Sequence, residues 1–399
     1  MVKNKILVLT STFPRWKNDH EPSFIFDLCL RLKKNFDIHI LAPHAKGAES
    51  YEEIKDLSIS RFHYAPEHLE SLAYNGGMGS NLTRYPYKYL LVAPFLISEF
   101  YIALRLIKKH HVDLVHAHWL IPHGLLAILL QKVSGNKINI LISAHGSDVY
   151  SFNGLITGKL KKYVLNNCSN ITVVSNTMKT AIIEMGCRCQ VDVLPMGTDL
   201  ARKFVPDANI RKPQQIIYVG RLIEQKGVNF LLDAFANIVK DHPQATLQIL
   251  GHGPELEPLK RQSYNLGIDN NVLFLGGIQH DKVNKYLQAS SIAVFPYCRT
   301  KHSGEEGFGL VLVEALGCGC AVIASRQPAI MEIINDRQTG LLVEEKSPQA
   351  ITSAILSLLE NPVMASMLAN NGRSEVLNKF DWEKVSRSYT NLINNCIHQ

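Results

Sequence analysis

The stretch Glu305-Glu306-Gly307-Phe308-Gly309-Leu310-Val311-Leu312-Val313-Glu314-Ala315 joins a glycine-punctuated turn to an apolar run. The apolar run predicts a helix that begins near Gly309. Such a helix would present its first free backbone N–H groups, and the positive end of its dipole, to whatever occupies the turn. Because diphosphates are natural ligands for a helix N-terminus, the stretch predicts a phosphate-binding turn.

Two carboxylates in this stretch, Glu306 in the turn and Glu314 in the helix, suggest a longer ligand. Eight helical residues span about 12 Å, which is close to the length of a nucleotide-sugar. One carboxylate could then reach sugar hydroxyls while the other binds a ribose diol. Acids on the surface of an amphipathic helix would give the same spacing. However, the apolar run favours a packed helix, in which a carboxylate needs a partner or a ligand.

The length of 399 residues exceeds what one hydrophobic core usually serves, so two domains are expected. Hydrophobic residues make up 46% and charged residues 19%, as in a soluble globular protein. Residues 1–200 carry 22 basic against 16 acidic residues, whereas residues 201–399 are nearly balanced at 20 and 19. A basic first half suggests an anionic partner, either membrane lipid or a phosphorylated acceptor.

Short β-rich runs alternate with longer helical patterns, which predicts an α/β protein with two Rossmann-like, doubly wound domains. The pattern begins again near residue 214, so we expect a first domain over 1–200, a polar linker over 201–213 and a second domain over 214–380. Two such domains facing each other would bind ligand in a cleft at the carboxyl ends of their strands. The predicted strands are Ile6–Thr10, Ile38–Ala42, Leu114–Ala117, Ile138–Ser143, Ile171–Val174, Val191–Leu194, Gln215–Val219, Leu247–Leu250, Val272–Leu275, Ile292–Phe295 and Val322–Ala324.

Two cations follow the strand that ends at Val219. Arg221 and Lys226 lie on a loop that opens at Gly220, where they could hold a diphosphate from two sides. An ordinary solvated loop is the alternative, and the position between a strand and a helix favours function. The chain contains no Asp-x-Asp pair to hold a divalent metal, so these cations would take the metal's place.

Other glycine and histidine motifs also follow predicted strands. Gly251 opens a Gly-x-Gly turn that is a weak half of a dinucleotide fingerprint, and the first strand lacks that fingerprint, which argues against a nicotinamide dehydrogenase. His145 precedes a glycine that admits close backbone approach, so it could project into the cleft; a capping or core histidine is the alternative. His116, His118 and His123 form a second cluster, for which cleft lining or acceptor contact is favoured over zinc.

The eight cysteines include two Cys-x-Cys pairs, Cys187/Cys189 and Cys318/Cys320, with no Cys-x-x-Cys pair to complete a zinc framework. Reduced, structural thiols are therefore predicted. No basic-then-apolar signal peptide is visible, which predicts a cytoplasmic protein. The apolar segment Tyr89–Ile107 is interrupted by charged residues and a proline, so it is predicted to be a core or interfacial helix.

Taken together, the motifs around Gly220-Arg221, Lys226-Gly227, Gly251 and Glu306 through Glu314, with the later Glu332, resemble the C-terminal domain of retaining glycosyltransferases of family 4. The resemblance covers nearly the whole chain. It implies the GT-B architecture, with an acceptor-binding first domain and a donor-binding second domain. It also implies that a terminal helix, residues 381–399, packs back on the first domain.

The resemblance further implies roles for individual residues. Arg221 and Lys226 would bind the donor diphosphate, Glu306 the sugar and Glu314 the ribose, while His145 would lie beside the donor sugar. His145, Glu306, Arg221 and Lys226 are the implied catalytic set. The reaction would need no protein nucleophile, metal or other cofactor. The implied donor-binding set is Gly220, Arg221, Lys226, Gly251, Glu306, Gly307, Phe308, Gly309, Leu310, Val311 and Glu314.

Two turns depart from the family's pattern. Thr12-Phe13-Pro14 replaces a Gly-Gly loop after the first strand, and Gln327-Pro328-Ala329 replaces a glycine-rich turn before Glu332. Bulkier residues after the first strand change the acceptor mouth. Candidate acceptor contacts are His118, Phe13 and Arg15.

The expected partners are a nucleotide-sugar donor and a glycan or lipid-linked acceptor, as in cell-surface polysaccharide or glycolipid synthesis, with no nucleic acid. An anionic membrane surface is a further candidate, since residues 159–163 and 106–109 could form cationic amphipathic faces. A sugar-nucleotide epimerase of the same architecture and a non-catalytic glycan- or nucleotide-binding protein remain alternatives. The nucleotide of the donor, whether UDP, GDP or ADP, is left open.

Overall fold

The computed structural model describes residues 3–17, 19, 21, 23–135, 137–151, 154–300 and 306–398. The chain divides into two compact units. The first consists of Met1–Pro195 together with Val385–Gln399, and the second consists of Met196–Lys384. Each unit contains one mainly parallel sheet packed with helices, as predicted.

The first unit contains an eight-stranded sheet in the order β3-β4-β2-β1-β5-β6-β7-β8. Its inner strands are buried along nearly their whole length, which explains why their sequences are mainly continuous apolar runs. Only β3 runs antiparallel, in a hairpin with β4 that the sequence analysis missed. The strands are β1 Lys5–Leu9, β2 Asp37–Pro43, β3 Tyr51–Ile54, β4 Leu57–Phe62, β5 Leu114–His118, β6 Asn139–Ser143, β7 Asn170–Val173 and β8 Gln190–Val193.

The described part of the first unit contains seven α-helices and most of an eighth. The eighth is the helix at the end of the chain. Its Tyr389 hydroxyl donates to the carbonyl of Leu194, and the carbonyl of Ile397 accepts from the Asn139 amide. The terminal helix therefore packs on the first unit; it begins at Trp382, and Gln399 lies outside the described residues. The helices are α1 Phe24–Leu32, α2 Met78–Arg84, α3 Val92–His110, α4 Leu125–Val133, α5 Ser147–Tyr150, α6 Leu155–Asn167, α7 Asn176–Glu184 and, at the end of the chain, α15 Trp382–His398.

The second unit contains a six-stranded, all-parallel sheet in the order β11-β10-β9-β12-β13-β14. Its core forms where the apolar face of α8, including Leu231, Leu232 and Phe235, packs on the sheet. The strands are β9 Lys212–Val219, β10 Thr246–Leu250, β11 Val272–Gly276, β12 Ser290–Phe295, β13 Ala321–Ser325 and β14 Leu341–Val343. The helices are α8 Val228–Asp241, α9 Leu256–Asn265, α10 His280–Ala289, α11 Leu310–Gly317, α12 Pro328–Met331, α13 Pro348–Glu360 and α14 Pro362–Phe380.

The boundaries of the units differ from the expected ones. The second unit begins at Met196 and includes residues 201–213, which the sequence analysis assigned to a linker. Leu200 and Phe204 are fully buried there. The Arg211 guanidinium donates to the carbonyls of Ser290 and Gly319, each at 2.8 Å. These polar-looking residues therefore pack as part of the second unit.

The segment Pro86–His110 is long and apolar enough to cross a membrane by length and composition, with a mean hydropathy of 1.9 in its most apolar window. One side of α3 nevertheless packs inside the first unit, where Phe95, Glu99 and Ala103 are completely buried. The Glu99 carboxylate is 2.6 Å from Nδ1 of His123. Of the two charged residues that interrupt the apolar segment, Glu99 is thus paired within the core, whereas Arg105 is exposed.

Candidate functional site

The loops after β9 and β10 are joined through their backbones at the carboxyl end of the second sheet. The Gly220 N–H donates to the Leu250 carbonyl at 2.9 Å, and the Leu222 N–H donates to the His252 carbonyl at 2.8 Å. A Cβ on Gly251 would collide with the carbonyl oxygen of Gly220. The glycine at 251 therefore permits a contact that fixes the loop carrying Arg221.

Lys226 and Glu306 form an ion pair that joins the loop after β9 to the turn before α11. The Lys226 ammonium also lies 4.6 Å from the centre of the Tyr297 ring. Both paired side chains are mostly buried, with exposed fractions of 12% and 17%. The two residues are 80 positions apart in the chain, so the fold itself brings these groups together.

The Glu306 carboxylate is held ionised by its surroundings. Burial raises its pKa, but the charge of Lys226, the hydrogen bond from Lys226 and the charge of Arg221 together lower it below the usual value. Tyr218, whose hydroxyl donates to the Arg221 carbonyl at 3.0 Å, supports the backbone of this loop. The structure thus places Arg221, Lys226 and Glu306 in one electrostatic group.

The helix predicted to follow Gly309 is α11, which begins at Leu310. Gly309 caps it with φ of +89°, a left-handed conformation that favours glycine. The N–H groups of Leu310 and Val311 belong to the first turn, which precedes any intrahelical acceptor. Gly307 and Phe308 are buried, and the Phe308 ring packs edge-on against Phe380. Glu305, which opens the quoted stretch, lies outside the described residues.

Glu314 has different partners from Glu306. It is buried on α11, where its Oε1 is 2.7 Å from Nε2 of His280 and accepts from the Thr198 hydroxyl at 3.3 Å. Its Oε2 has no hydrogen-bond partner within the described part of the chain. The two carboxylates of the quoted stretch therefore have separate surroundings: Glu306 pairs with Lys226, whereas Glu314 contacts His280 and keeps one unsatisfied oxygen.

In the first unit, His118 and His145 lie together at the carboxyl ends of β5 and β6. Nδ1 of His118 and Nε2 of His145 share a hydrogen bond of 2.9 Å, and the rings stack. Asp148 accepts from the backbone N–H groups of His145 and Gly146, each at 3.0 Å, and fixes the turn. Burial lowers the pKa of His145 to about 3, and it lowers the pKa of His118 as well. Both rings are therefore neutral near pH 7.

The side chains of the other candidate residues in the first unit are buried and contact neighbouring side chains. The Phe13 side chain is completely buried and packs edge-on against Phe26, so it offers no surface to an acceptor. The Arg15 guanidinium makes two hydrogen bonds of 2.8 Å to the Asp19 carboxylate and stacks on Trp16. His116 is 2.8 Å from the Ser143 hydroxyl. His118 is also completely buried, beside His145, so all three side chains expected to contact the acceptor are buried in this structure.

Three residues contact the charged groups without having been predicted as site residues, although Gln327 was noted in the turn before Glu332. Tyr297 lies under Lys226, Gln327 accepts from the Glu306 N–H at 2.9 Å, and His280 contacts Glu314. Tyr297 and Gln327 each come two residues after a strand, β12 and β13, and His280 begins the helix after β11. Position at the carboxyl end of a parallel strand was the signal that could have identified them.

Solved structures match both units. Sucrose-phosphate synthase from Thermosynechococcus elongatus matches 98% of this chain and 99% of its own, with a TM-score of 0.78 and 21% identity. Anabaena HepE, solved in complex with UDP-glucose, matches 98% of this chain and 99% of its own, with a TM-score of 0.73 and 17% identity. The protein therefore has the GT-B fold of nucleotide-sugar glycosyltransferases.

Two family models divide the chain between them. "Glycosyltransferase Family 4" matches residues 23–202, and "Glycosyl transferases group 1" matches residues 202–375. An uncharacterised glycosyltransferase of Methanocaldococcus jannaschii is 30% identical over 73% of this chain and 77% of its own. A GDP-mannose-dependent alpha-(1-6)-phosphatidylinositol monomannoside mannosyltransferase of Mycolicibacterium smegmatis is 27% identical over 94% of this chain and 95% of its own. The chain belongs to the group 1 glycosyltransferases of family 4.

Proposed function

We propose that this glycosyltransferase moves a sugar from a nucleoside-diphosphate sugar to a glycan or lipid-linked acceptor, with retention of anomeric configuration and without a metal. The observation that carries the proposal is the group formed by Arg221, Lys226 and the ionised Glu306. Arg221 and Lys226, two cations on one glycine-bounded loop, are suited to bind a diphosphate. An ionised carboxylate is suited to accept hydrogen bonds from sugar hydroxyls. The first turn of α11 adds backbone N–H groups for phosphate oxygens.

In the proposed reaction the bond between the anomeric carbon and the diphosphate oxygen breaks. A bond from the acceptor oxygen to the same face of that carbon forms, and the departing phosphate takes the acceptor's proton. Negative charge grows on the leaving diphosphate, so Arg221 and Lys226 stabilise the transition state more than the ground state. No protein nucleophile is needed for this path.

His145 is proposed to bind a hydroxyl of the donor sugar. Because burial lowers its pKa to about 3, its ring is a neutral hydrogen-bond partner at pH 7 rather than a cation. The hydrogen bond to His118 occupies Nε2, so Nδ1 is the remaining ring nitrogen for a ligand. Glu314, with one unsatisfied carboxylate oxygen, is proposed to bind the ribose diol.

The first donor to test is GDP-mannose, because the mycobacterial relative that matches nearly the whole chain is a GDP-mannose-dependent enzyme. We expect a panel of GDP-, UDP- and ADP-sugars to give one clear rise in melting temperature. With the donor so identified and an acceptor supplied, NMR should show that the transferred sugar keeps the donor's anomeric configuration. Turnover should persist in EDTA.

Each other outcome contradicts a different part of this proposal. Conversion of the donor to an epimer without acceptor would indicate an epimerase, and binding without turnover would indicate a non-catalytic protein. An inverted product would exclude the same-face reaction. Loss of turnover in EDTA that Mg²⁺ or Mn²⁺ restores would show a metal requirement.

The first unit also carries a surface that suits a membrane. The 3₁₀ turn Pro86–Leu91 and the outer side of α3 expose large apolar side chains, including Leu90 at 82% and Tyr101 at 65%. Exposed Lys108 and Lys109 follow at the end of α3. Tyrosines beside aliphatic and basic residues are typical of membrane interfaces. We propose that this enzyme works as a peripheral protein on an anionic, cytoplasmic membrane surface.

The second cationic face expected from the sequence differs in the structure. Lys161 is completely buried, and its ammonium donates to the carbonyls of Val149 and Ser151. It serves as an internal brace between α6 and the end of α5. Lys159 and Lys162 of α6 remain exposed, so only Lys161 is lost from the cationic face expected at residues 159–163.

We expect sedimentation with anionic liposomes at low salt to depend on the exposed apolar side chains of the Pro86–Leu91 turn and of α3. Leu90→Asp combined with Tyr101→Asp should reduce the bound fraction at least about tenfold, because apolar burial in the interface is lost and negative charge is added. Tyr264→Asp is the matched control, since Tyr264 is 73% exposed on α9 of the second unit. Equal sedimentation of both variants, or no sedimentation of the unmodified protein, would reject the membrane surface.

A further inference from the structure

Three cysteines converge at the edge of the first sheet where its strands begin. The Sγ atoms of Cys168 and Cys189 are 3.2 Å apart, and those of Cys187 and Cys189 are 3.1 Å apart. All three sulfurs lie within 4.8 Å of one another. The sequence analysis treated the Cys-x-Cys pair as unremarkable thiols and did not connect it with Cys168.

The fold explains this convergence. Parallel strands β7 and β8 pair with Asn170 opposite Gln190. Cys189 directly precedes β8, and Cys168 caps the end of α6 two residues before β7. Cys187 ends the turn after α7, where its N–H donates to the Ile182 carbonyl at 3.2 Å. Three separate elements therefore each supply one sulfur.

We propose that Cys168, Cys187 and Cys189 bind one zinc ion through three thiolates. Zinc–sulfur bonds of about 2.3 Å in a tetrahedral site place two sulfurs about 3.8 Å apart. The Cys168–Cys189 and Cys187–Cys189 sulfurs, at 3.2 and 3.1 Å, need to separate by about 0.6 to 0.7 Å to reach that spacing. No carboxylate or carbonyl is needed for this set, and soft thiolates select zinc over magnesium or calcium.

The surroundings of the three sulfurs suit such a site. Cys168 is buried, whereas Cys187 and Cys189 are partly exposed, which gives the ion a path of entry. Three thiolates would leave the fourth tetrahedral position of zinc to water.

The other cluster of possible ligands, His44, His63 and Glu70, is already satisfied. Nδ1 and Nε2 of His44 contact the Glu70 carboxylate and the Ala48 carbonyl. Nε2 of His63 contacts the Ser50 hydroxyl. A metal would have to displace these hydrogen bonds, whereas zinc at the cysteines replaces contacts between thiols and one long contact, 3.7 Å, from the Cys168 thiol to the Leu165 carbonyl.

The site lies at the opposite end of the strands from the histidines after β5 and β6, so its proposed role is structural. Zinc would fasten the edge strand β8 to α6 and α7. The zinc proposal does not depend on the proposed reaction, and transferase activity is not its readout.

The test uses the full-length protein, reduced and freed of metal by a chelator that is then removed. We expect zinc titration against a chromophoric chelator to show one tight ion per chain, and Co²⁺ to give thiolate charge-transfer absorption. Saturating zinc should raise the melting temperature of the first unit by about 5–10 °C. It should also protect Cys187 and Cys189 from a maleimide, as mapped by mass spectrometry.

Cys187→Ser and Cys189→Ser should each weaken zinc binding at least about tenfold, whereas Cys29→Ala should bind zinc like the unmodified protein. Cys29 is a buried thiol on α1 outside the cluster. Circular dichroism checks that the serine variants fold. Zinc binding that survives both serine substitutions would overturn the proposal. So would the absence of a bound ion, or a Cys168–Cys189 or Cys187–Cys189 disulfide that forms in air even when zinc is present.

Discussion

Lys226→Ala and Glu306→Ala are each expected to lower kcat/KM for sugar transfer by about 100- to 1000-fold. Removing the Lys226 ammonium deletes charge that compensates the departing diphosphate. It also leaves the Glu306 carboxylate, with which Lys226 is paired, beside that diphosphate. Removing the Glu306 carboxylate deletes the group proposed to hold sugar hydroxyls. Steady-state kinetics with the donor found by the thermal-shift panel measures both effects.

The matched control is another Lys–Glu pair in the same unit. Lys260 and Glu257 lie 2.9 Å apart on α9, with side chains 46% and 68% exposed. Lys260→Ala and Glu257→Ala should leave kcat/KM within about twofold, because exposed ion pairs contribute little. Melting temperatures separate lost function from lost folding. A folded Lys226→Ala or Glu306→Ala variant with unchanged kinetics would remove that residue from the site.

The double variant Lys226→Ala/Glu306→Ala tests whether the pair acts as a unit. Side chains in contact rarely contribute additively. We expect the double variant to be little worse than the more damaged single variant, because each substitution already disrupts the arrangement on which the other residue depends. A fully additive loss would indicate that the two side chains contribute independently.

The sequence predicted most of the fold because parallel strands are buried on both faces. Ile6–Thr10 and Leu114–Ala117 stand out as apolar runs and correspond to β1 and β5 within one residue. The β3–β4 hairpin was missed. Its outer strand is exposed, and it turns through Lys55 and Asp56 in left-handed conformations rather than through a typical Asn-Gly turn.

The approach of Lys226 to Glu306 was predictable from a single rule. The contact of Glu314 with His280 was not. Residues that follow parallel strands meet at one edge of the sheet, which anticipated the approach of Lys226 to Glu306. The contact of Glu314 with His280 depends on how α10 and α11 pack, which sequence spacing does not encode. Phe13 follows β1 in the expected place, but its ring turns into the core against Phe26.

The cysteine cluster is a second example of contacts that sequence spacing could not predict. Cys187 and Cys189 form a visible motif, but Cys168 joins them only because β7 and β8 pair with Asn170 opposite Gln190. The order and register of strands decide which distant residues meet at the edge of a sheet. These features depend on the packing of the whole unit rather than on local pattern.

Gly251→Ala is expected to destabilise the second unit and to disrupt donor binding together. The new Cβ would overlap the carbonyl oxygen of Gly220 and lie 3.0 Å from its carbonyl carbon. Backbone cannot yield as a flexible side chain does, so the loops after β9 and β10 must separate. Such overpacking costs about 1–3 kcal/mol of unfolding free energy. Because Arg221 follows Gly220 directly, we also expect donor affinity to fall by more than about tenfold.

Gly267→Ala separates this collision from the cost of the backbone conformation. Gly267 has φ of +69°, and a Cβ there would meet no atom within 4 Å. Its substitution should cost about 1–2 kcal/mol through left-handed strain alone, and donor affinity should be unchanged. Chemical denaturation measures stability, and calorimetric titration measures donor binding. Normal donor affinity in Gly251→Ala would mean that contact between the two loops does not position Arg221, and that the diphosphate is held by Lys226 and the first turn of α11 without it.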